Sequence, residues 1–160
     1  TIENLLIPPR NQYGTDPIRG FISNFFRGEE EARVRKAYST LEELEITHMA
    51  HNLTSELSGG QSKLVDIGRA LMGEPNLLLL DEPVAGVAGP LAEKIFNNLR
   101  NIVSQTGISI LVIEHNMDFI LRRGVDRIIV MDQGKVLMQG TPDEVKDSKE
   151  VIEAYLGGTG

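Results

Sequence analysis

Leu57-Ser58-Gly59-Gly60-Gln61 and, further on, Leu77-Leu78-Leu79-Leu80-Asp81-Glu82-Pro83 are the stretches whose reading decides the fold. Ser58 and Gln61 have the spacing of a capping box: the hydroxyl satisfies one orphan amide, and the Gln side chain reaches back to another. A helix therefore begins here. Leu64, Ile67 and Leu71 recur at helical spacing, Arg69 falls on another face, and Gly73 before Glu74-Pro75 predicts the stop. A cap does not explain two glycines in the first turn, each of which costs up to ~1 kcal/mol against Ala inside a helix. A phosphate drawn to free N–H groups at a positive helix end would need that bare backbone. The alternative is a flexible loop running into an ordinary capped helix.

Four consecutive Leu before Asp-Glu-Pro predict a fully buried parallel strand, which Pro83 ends by removing a backbone donor. Its two acids then stand at the carboxyl end, where open parallel sheets bind ligands. One carboxylate there can hold Mg2+ through retained water while its neighbour accepts a proton from an attacking water. The alternative is a core strand whose acids merely mark the turn.

Together the two stretches resemble the signature motif and the Walker B strand of ABC-type ATPases. The resemblance implies an α/β fold: the carboxyl part of an ABC-type P-loop NTPase core, mostly parallel sheet with flanking helices, plus a helical signature subdomain. On that reading residues 1–73 are the helical subdomain with its signature helix, and residues 74–160 the carboxyl part of the catalytic core. In the family two nucleotide-binding subunits close head to tail around ATP. The resemblance thus implies Ser58, Gly59, Gly60 and Gln61 as the nucleotide-contacting set in trans, Asp81 as a Mg2+ ligand through water, and Glu82 as general base. By position His115 matches the family's switch histidine. A His just past a parallel strand's end can also donate to an oxygen of a transferred phosphate.

The resemblance further implies a second ABC ATPase subunit, identical or different, and transmembrane permease subunits, with a solute-binding protein engaged indirectly. It places the protein in the cytoplasm, peripheral on the inner face of the cell membrane. No G-x-x-x-x-G-K-[ST] loop occurs in the chain, which opens at Thr1 without Met. The expectation is a family domain lacking its amino-terminal ATP-holding part, so that these residues alone bind ATP feebly and are inactive. Two rivals stand beside the ATPase: a non-catalytic dimerisation or interaction piece, and an ABC ATPase of DNA repair or translation. The latter usually carries coiled-coil insertions and basic surface, neither of which is visible.

Composition agrees with these bounds. A chain of 160 residues has room for one core and a small lobe, and a net charge of -7 with scattered Lys and Arg argues against a nucleic-acid partner. Absence of Cys excludes a disulfide scaffold, and no apolar run approaches the ~20 residues needed to span a bilayer.

Elsewhere residues 2–7 read as a short helix and residues 11–17 as a surface loop. Phe21, Ile22, Phe25 and Phe26 read as the core of a helical lobe, with a partner groove as the alternative. Residues 29–46 read as a charged helix turning Ala32, Ala37, Leu41 and Leu44 inward. His48 and His51 lack a third ligand and read as surface residues. After Pro83 a small-residue loop leads to a helix over residues 91–104. Ala88 stands where the family usually has Asp, a variant that resembles the branched-chain amino acid importers. Residues 108–113 read as a second apolar strand, 116–123 as a helix, and 126–131 with 135–139 as a hairpin. Thr141 and Glu144 read as a second capping box, residues 147–156 as a closing helix and 157–160 as a frayed end.

Overall fold

A computed structural model describes residues 1–7 and 23–156. Its first turn of interest is the predicted one. Gln61 N–H donates to Ser58 Oγ at 3.3 Å, Ser58 N–H donates to Gln61 Oε1 at 2.8 Å, and helix α3 runs Gly59–Leu71 from that box. Before it come α1 (Ile2–Leu6) and α2 (Ser23–Glu43), then two short 3-10 turns, Thr47–Met49 and Thr54–Glu56. After it come β1 (Leu77–Asp81), α4 (Gly89–Thr106) and β2 (Ser109–Ile113). Then follow α5 (Met117–Leu121), β3 (Ile128–Asp132), β4 (Lys135–Gly140), α6 (Pro142–Lys146) and α7 (Lys149–Leu156).

The chain divides into two compact units, Thr1–Ile113 and Glu114–Gly160. Gly73, where the helical subdomain was expected to end, falls inside the first unit. Helices on both sides of it share one apolar cluster, in which Leu5, Leu41, Leu44, Leu64 and Ile67 meet Leu78, Ile95, Leu99 and Ile102. Asn98 is buried within this unit, and its Nδ2 donates to the Leu44 carbonyl at 3.0 Å, tying α4 to the turn after α2. That turn and the one after α3 both use a glutamate in the left-handed region, Glu45 (φ 56°) and Glu74 (φ 50°). Each carboxylate meets a lysine: Glu45 pairs with Lys94 at 2.8 Å, and Glu74 with Lys36 of α2.

β1 and β2 pair in parallel, Leu77 opposite Ser109 through Asp81 opposite Ile113. The prediction of a fully buried strand is corrected. Leu78 is buried and Leu80 half-buried against the helices, but Leu77 and Leu79 are 53% and 65% exposed. The reason is that side chains alternate across a strand and the helices cover one face only; Leu111 and Ile113 of β2 are exposed like their partners. Ala32 is also exposed, whereas Ala37, Leu41 and Leu44 are buried as expected. The 11–17 loop, Phe21, Ile22 and residues 157–160 lie outside the described residues, and so do the side chains of Phe25 and Phe26.

In the second unit β3 and β4 form the predicted antiparallel hairpin, turning through Gln133 (φ 45°) and Gly134 (φ 77°). Positive φ at both central residues is what a tight hairpin turn requires. Ile128, Val130, Val145 and Val151 make its small core. The second capping box is present as well, Glu144 N–H donating to Thr141 Oγ1 and Thr141 N–H to Glu144 Oε2 at 2.7 Å.

Candidate functional site

The first turn of α3 is built from local spacing alone. With Ser58 as N-cap, its hydroxyl satisfies the third amide, that of Gln61. The amides of Gly59 and Gly60 have no hydrogen-bond partner among the described residues. A helix start leaves such donors, and they attract anions. Gln61 commits its carbonyl end to the cap and keeps its amide nitrogen for other partners.

The two glycines differ in what surrounds them. A side chain on Gly59 would meet nothing within 4 Å, so the backbone is bare toward solvent there. A Cβ on Gly60 would lie 2.4 Å from Leu91 Cδ2 and 3.2 Å from Val87 Cγ1. Packing against the segment after Pro83 therefore accounts for Gly60 by itself, a non-local reason that the glycine pair in the sequence does not disclose.

At the carboxyl end of β1, Asp81 is exposed and Glu82 half-buried. Glu82 continues the pairing one residue past the strand, its N–H donating to the Ile113 carbonyl at 2.9 Å. Its own carbonyl accepts from Ala85 N–H at 3.1 Å and from Lys63 Nζ of α3 at 3.5 Å. Glu82 sits in the left-handed region, φ 45°. Neither the Lys63 contact nor this backbone conformation is announced by the sequence, where Asp-Glu-Pro reads as extended.

His115 is exposed and stands at the start of the second unit, one residue before Asn116, whose side chain caps α5 by accepting from Phe119 N–H at 3.0 Å. The residues grouped within the first unit are thus Asp81 and Glu82 at the strand end, with Ser58 to Gln61 at the head of α3. Among the described residues no three His, Cys, Asp or Glu side chains gather as a metal cage. Two adjacent acids suit Mg2+ only where waters and phosphate oxygens complete its octahedron. Ala88 is the N-cap of α4 and gives it no side-chain hydrogen bond.

The fold is that of part of an ATP-binding cassette. The chain superposes with a TM-score of 0.76 and 39% identity on the crystal structure of the ADP conformation of an ATP-binding cassette of an ABC transporter, covering 98% of this chain and 62% of that one. Residues 5–85, half of the chain, match the family described as "ABC transporter", and residues 135–160 match "Branched-chain amino acid ATP-binding cassette transporter". The chain belongs to the ABC transporter family of ATP-binding cassettes. It is 40% identical over 160 residues to the "Probable branched-chain amino acid transport ATP-binding protein LivG" of Methanocaldococcus jannaschii, covering 98% of this chain and 61% of that protein. It is 33% identical over 157 residues to the "High-affinity branched-chain amino acid transport ATP-binding protein BraF" of Pseudomonas aeruginosa, again 98% and 61%. The chain thus spans about three fifths of the curated relatives it matches. Among the described residues no helix is long and apolar enough to cross a membrane.

Proposed function

We propose that this chain is part of an ATP-hydrolysing subunit that energises uptake of branched-chain or related amino acids. The observation that carries the reading is the first turn of α3, where the capping box satisfies the third amide and leaves those of Gly59 and Gly60 to an anion. The names of the relatives and the match over residues 135–160 support the solute class.

Hydrolysis is attack of a water on the terminal phosphorus of ATP, forming one P–O bond and breaking the bond to the bridging oxygen, which leaves as ADP. The Glu82 carboxylate takes the water's proton, and its backbone is anchored at both the N–H and the carbonyl for that task. His115 donates to an oxygen of the departing phosphate. Ser58 Oγ and the amides of Gly59 and Gly60 donate to the terminal phosphate of a nucleotide held by the opposing subunit, so their stabilisation is electrostatic positioning. Asp81 would help to hold Mg2+, which would supply charge neutralisation at the phosphate oxygens. The partners are a second ATPase subunit and transmembrane permease subunits on the cytoplasmic side, with a solute-binding protein acting through the permease.

The test is Glu82→Gln in the complete gene product. Turnover should fall nearly to zero while ATP-dependent dimers persist on size exclusion. Hydrolysis at the parental rate would refute the role given to Glu82. Calorimetry on the 160-residue chain itself should show feeble ATP binding, since it carries no glycine-rich phosphate loop.

A further inference from the structure

Glu82 holds an expensive backbone conformation. A side chain at φ 45° crowds the following carbonyl, and a residue before proline is pushed by the proline ring toward extended geometry. Such a residue persists only where its surroundings over-determine it. Those surroundings include three donations: Glu82 N–H to Ile113, and Ala85 N–H and the Lys63 ammonium to the Glu82 carbonyl. The first two come from the neighbouring strand and from the turn that Glu82 itself opens. Lys63 alone among them comes from α3, one turn beyond Gly59. The same two segments touch a second time where Gly60 lies against Val87 and Leu91.

We propose that Lys63 is a positioning residue for Glu82, clamping the 82–83 peptide in its left-handed setting and so fixing where the carboxylate points. This rests on the reading of Glu82 as the base. The clamp joins the head of α3, which faces one nucleotide, to the carboxylate that serves another. A shift of α3 along its axis would be felt at Glu82 through the Lys63 ammonium.

The substitutions are Lys63→Met, which keeps the stem and removes the donor, and Lys63→Arg, which restores a donor of similar reach. On the labelled 160-residue chain, the HN–Hα coupling and the Cα and Cβ shifts of Glu82 report its φ directly. They should be left-handed in the parent and in Lys63→Arg, and move to extended values in Lys63→Met; unchanged values in Lys63→Met would overturn the clamp. In ATP turnover by the complete gene product, Lys63→Met should lose roughly 10- to 100-fold in kcat with KM within about 2-fold, because a small misplacement of a reacting group acts on the chemical step. Lys63→Arg should regain most of kcat. Parental kcat in Lys63→Met, in a protein that Glu82→Gln silences, overturns the positioning role and leaves the base intact. Parental kcat in Glu82→Gln overturns the base instead, and the Glu82 coupling then decides the clamp alone.

Discussion

Replacing each glycine of the α3 head by alanine separates the two reasons for its bare backbone. Both substitutions fall in the first turn of one helix, so both gain the same helix preference, up to ~1 kcal/mol. They differ in what the new methyl meets. At Gly59 it meets open space, while at Gly60 it lands 2.4 Å from Leu91 Cδ2 and 3.4 Å from Leu91 Cγ. The Leu91 tip can rotate, and a side chain driven off its rotamer with some repacking costs about 1–2 kcal/mol. Gly60→Ala should therefore be less stable than Gly59→Ala by about 1–2 kcal/mol, or roughly 2–8 °C in Tm for a chain of this size. Far-UV circular dichroism during heating reads this out. Adding Leu91→Ala should erase most of the difference, since the cavity it leaves accepts the methyl. Equal melting of the two alanine variants would refute the packing account and leave both glycines to be explained by a ligand.

Further outcomes follow from single contacts. Ala88→Asp supplies α4 with the side-chain cap it lacks and should stabilise the chain by about 1 kcal/mol in urea unfolding; no change would mean that the Gly89-Pro90 start needs no cap. Asn98→Ala orphans the buried Leu44 carbonyl and should cost about 1–3 kcal/mol in the same assay. The Thr141 backbone amide, then its hydroxyl, hold the Glu144 carboxyl below the ordinary value of 4.5. Its folded pKa is the lower one, so its stabilisation is complete above about pH 4.5 and is lost as pH falls through the folded value. The Tm gap between the parent and Glu144→Gln should accordingly shrink on acidification below that point, and a gap independent of pH would refute the assignment.

What the sequence disclosed was what local spacing controls. Ser58 with Gln61 and Thr141 with Glu144 each form their capping boxes because three residues of helix fix the geometry. Likewise the apolar runs at 77–80 and 108–113 hold the expected strands, and the 132–135 turn closes its hairpin. Burial was less legible, because it depends on what lies across the gap: a run of four identical residues does not say that Leu77 and Leu79 are exposed, although Ala32, five residues before Ala37, already falls off the face that Ala37, Leu41 and Leu44 share. Least legible were the contacts between distant segments. Gly60 against Leu91, Asn98 to Leu44 and Lys63 to Glu82 join residues whose sequence neighbours say nothing of each other. The left-handed Glu82 runs against its own local signal, since proline at the next position argues for an extended residue.

The bare face of the β1–β2 pair governs how this polypeptide behaves in a tube. Leu77, Leu79, Leu111 and Ile113 form an oily strip on strands that, among the described residues, pair with no strand but each other. Such a strip with open strand edges recruits like copies. On warming, light scattering should rise before the helical signal falls, and dilution or a lysine at Leu79 should delay the turbidity.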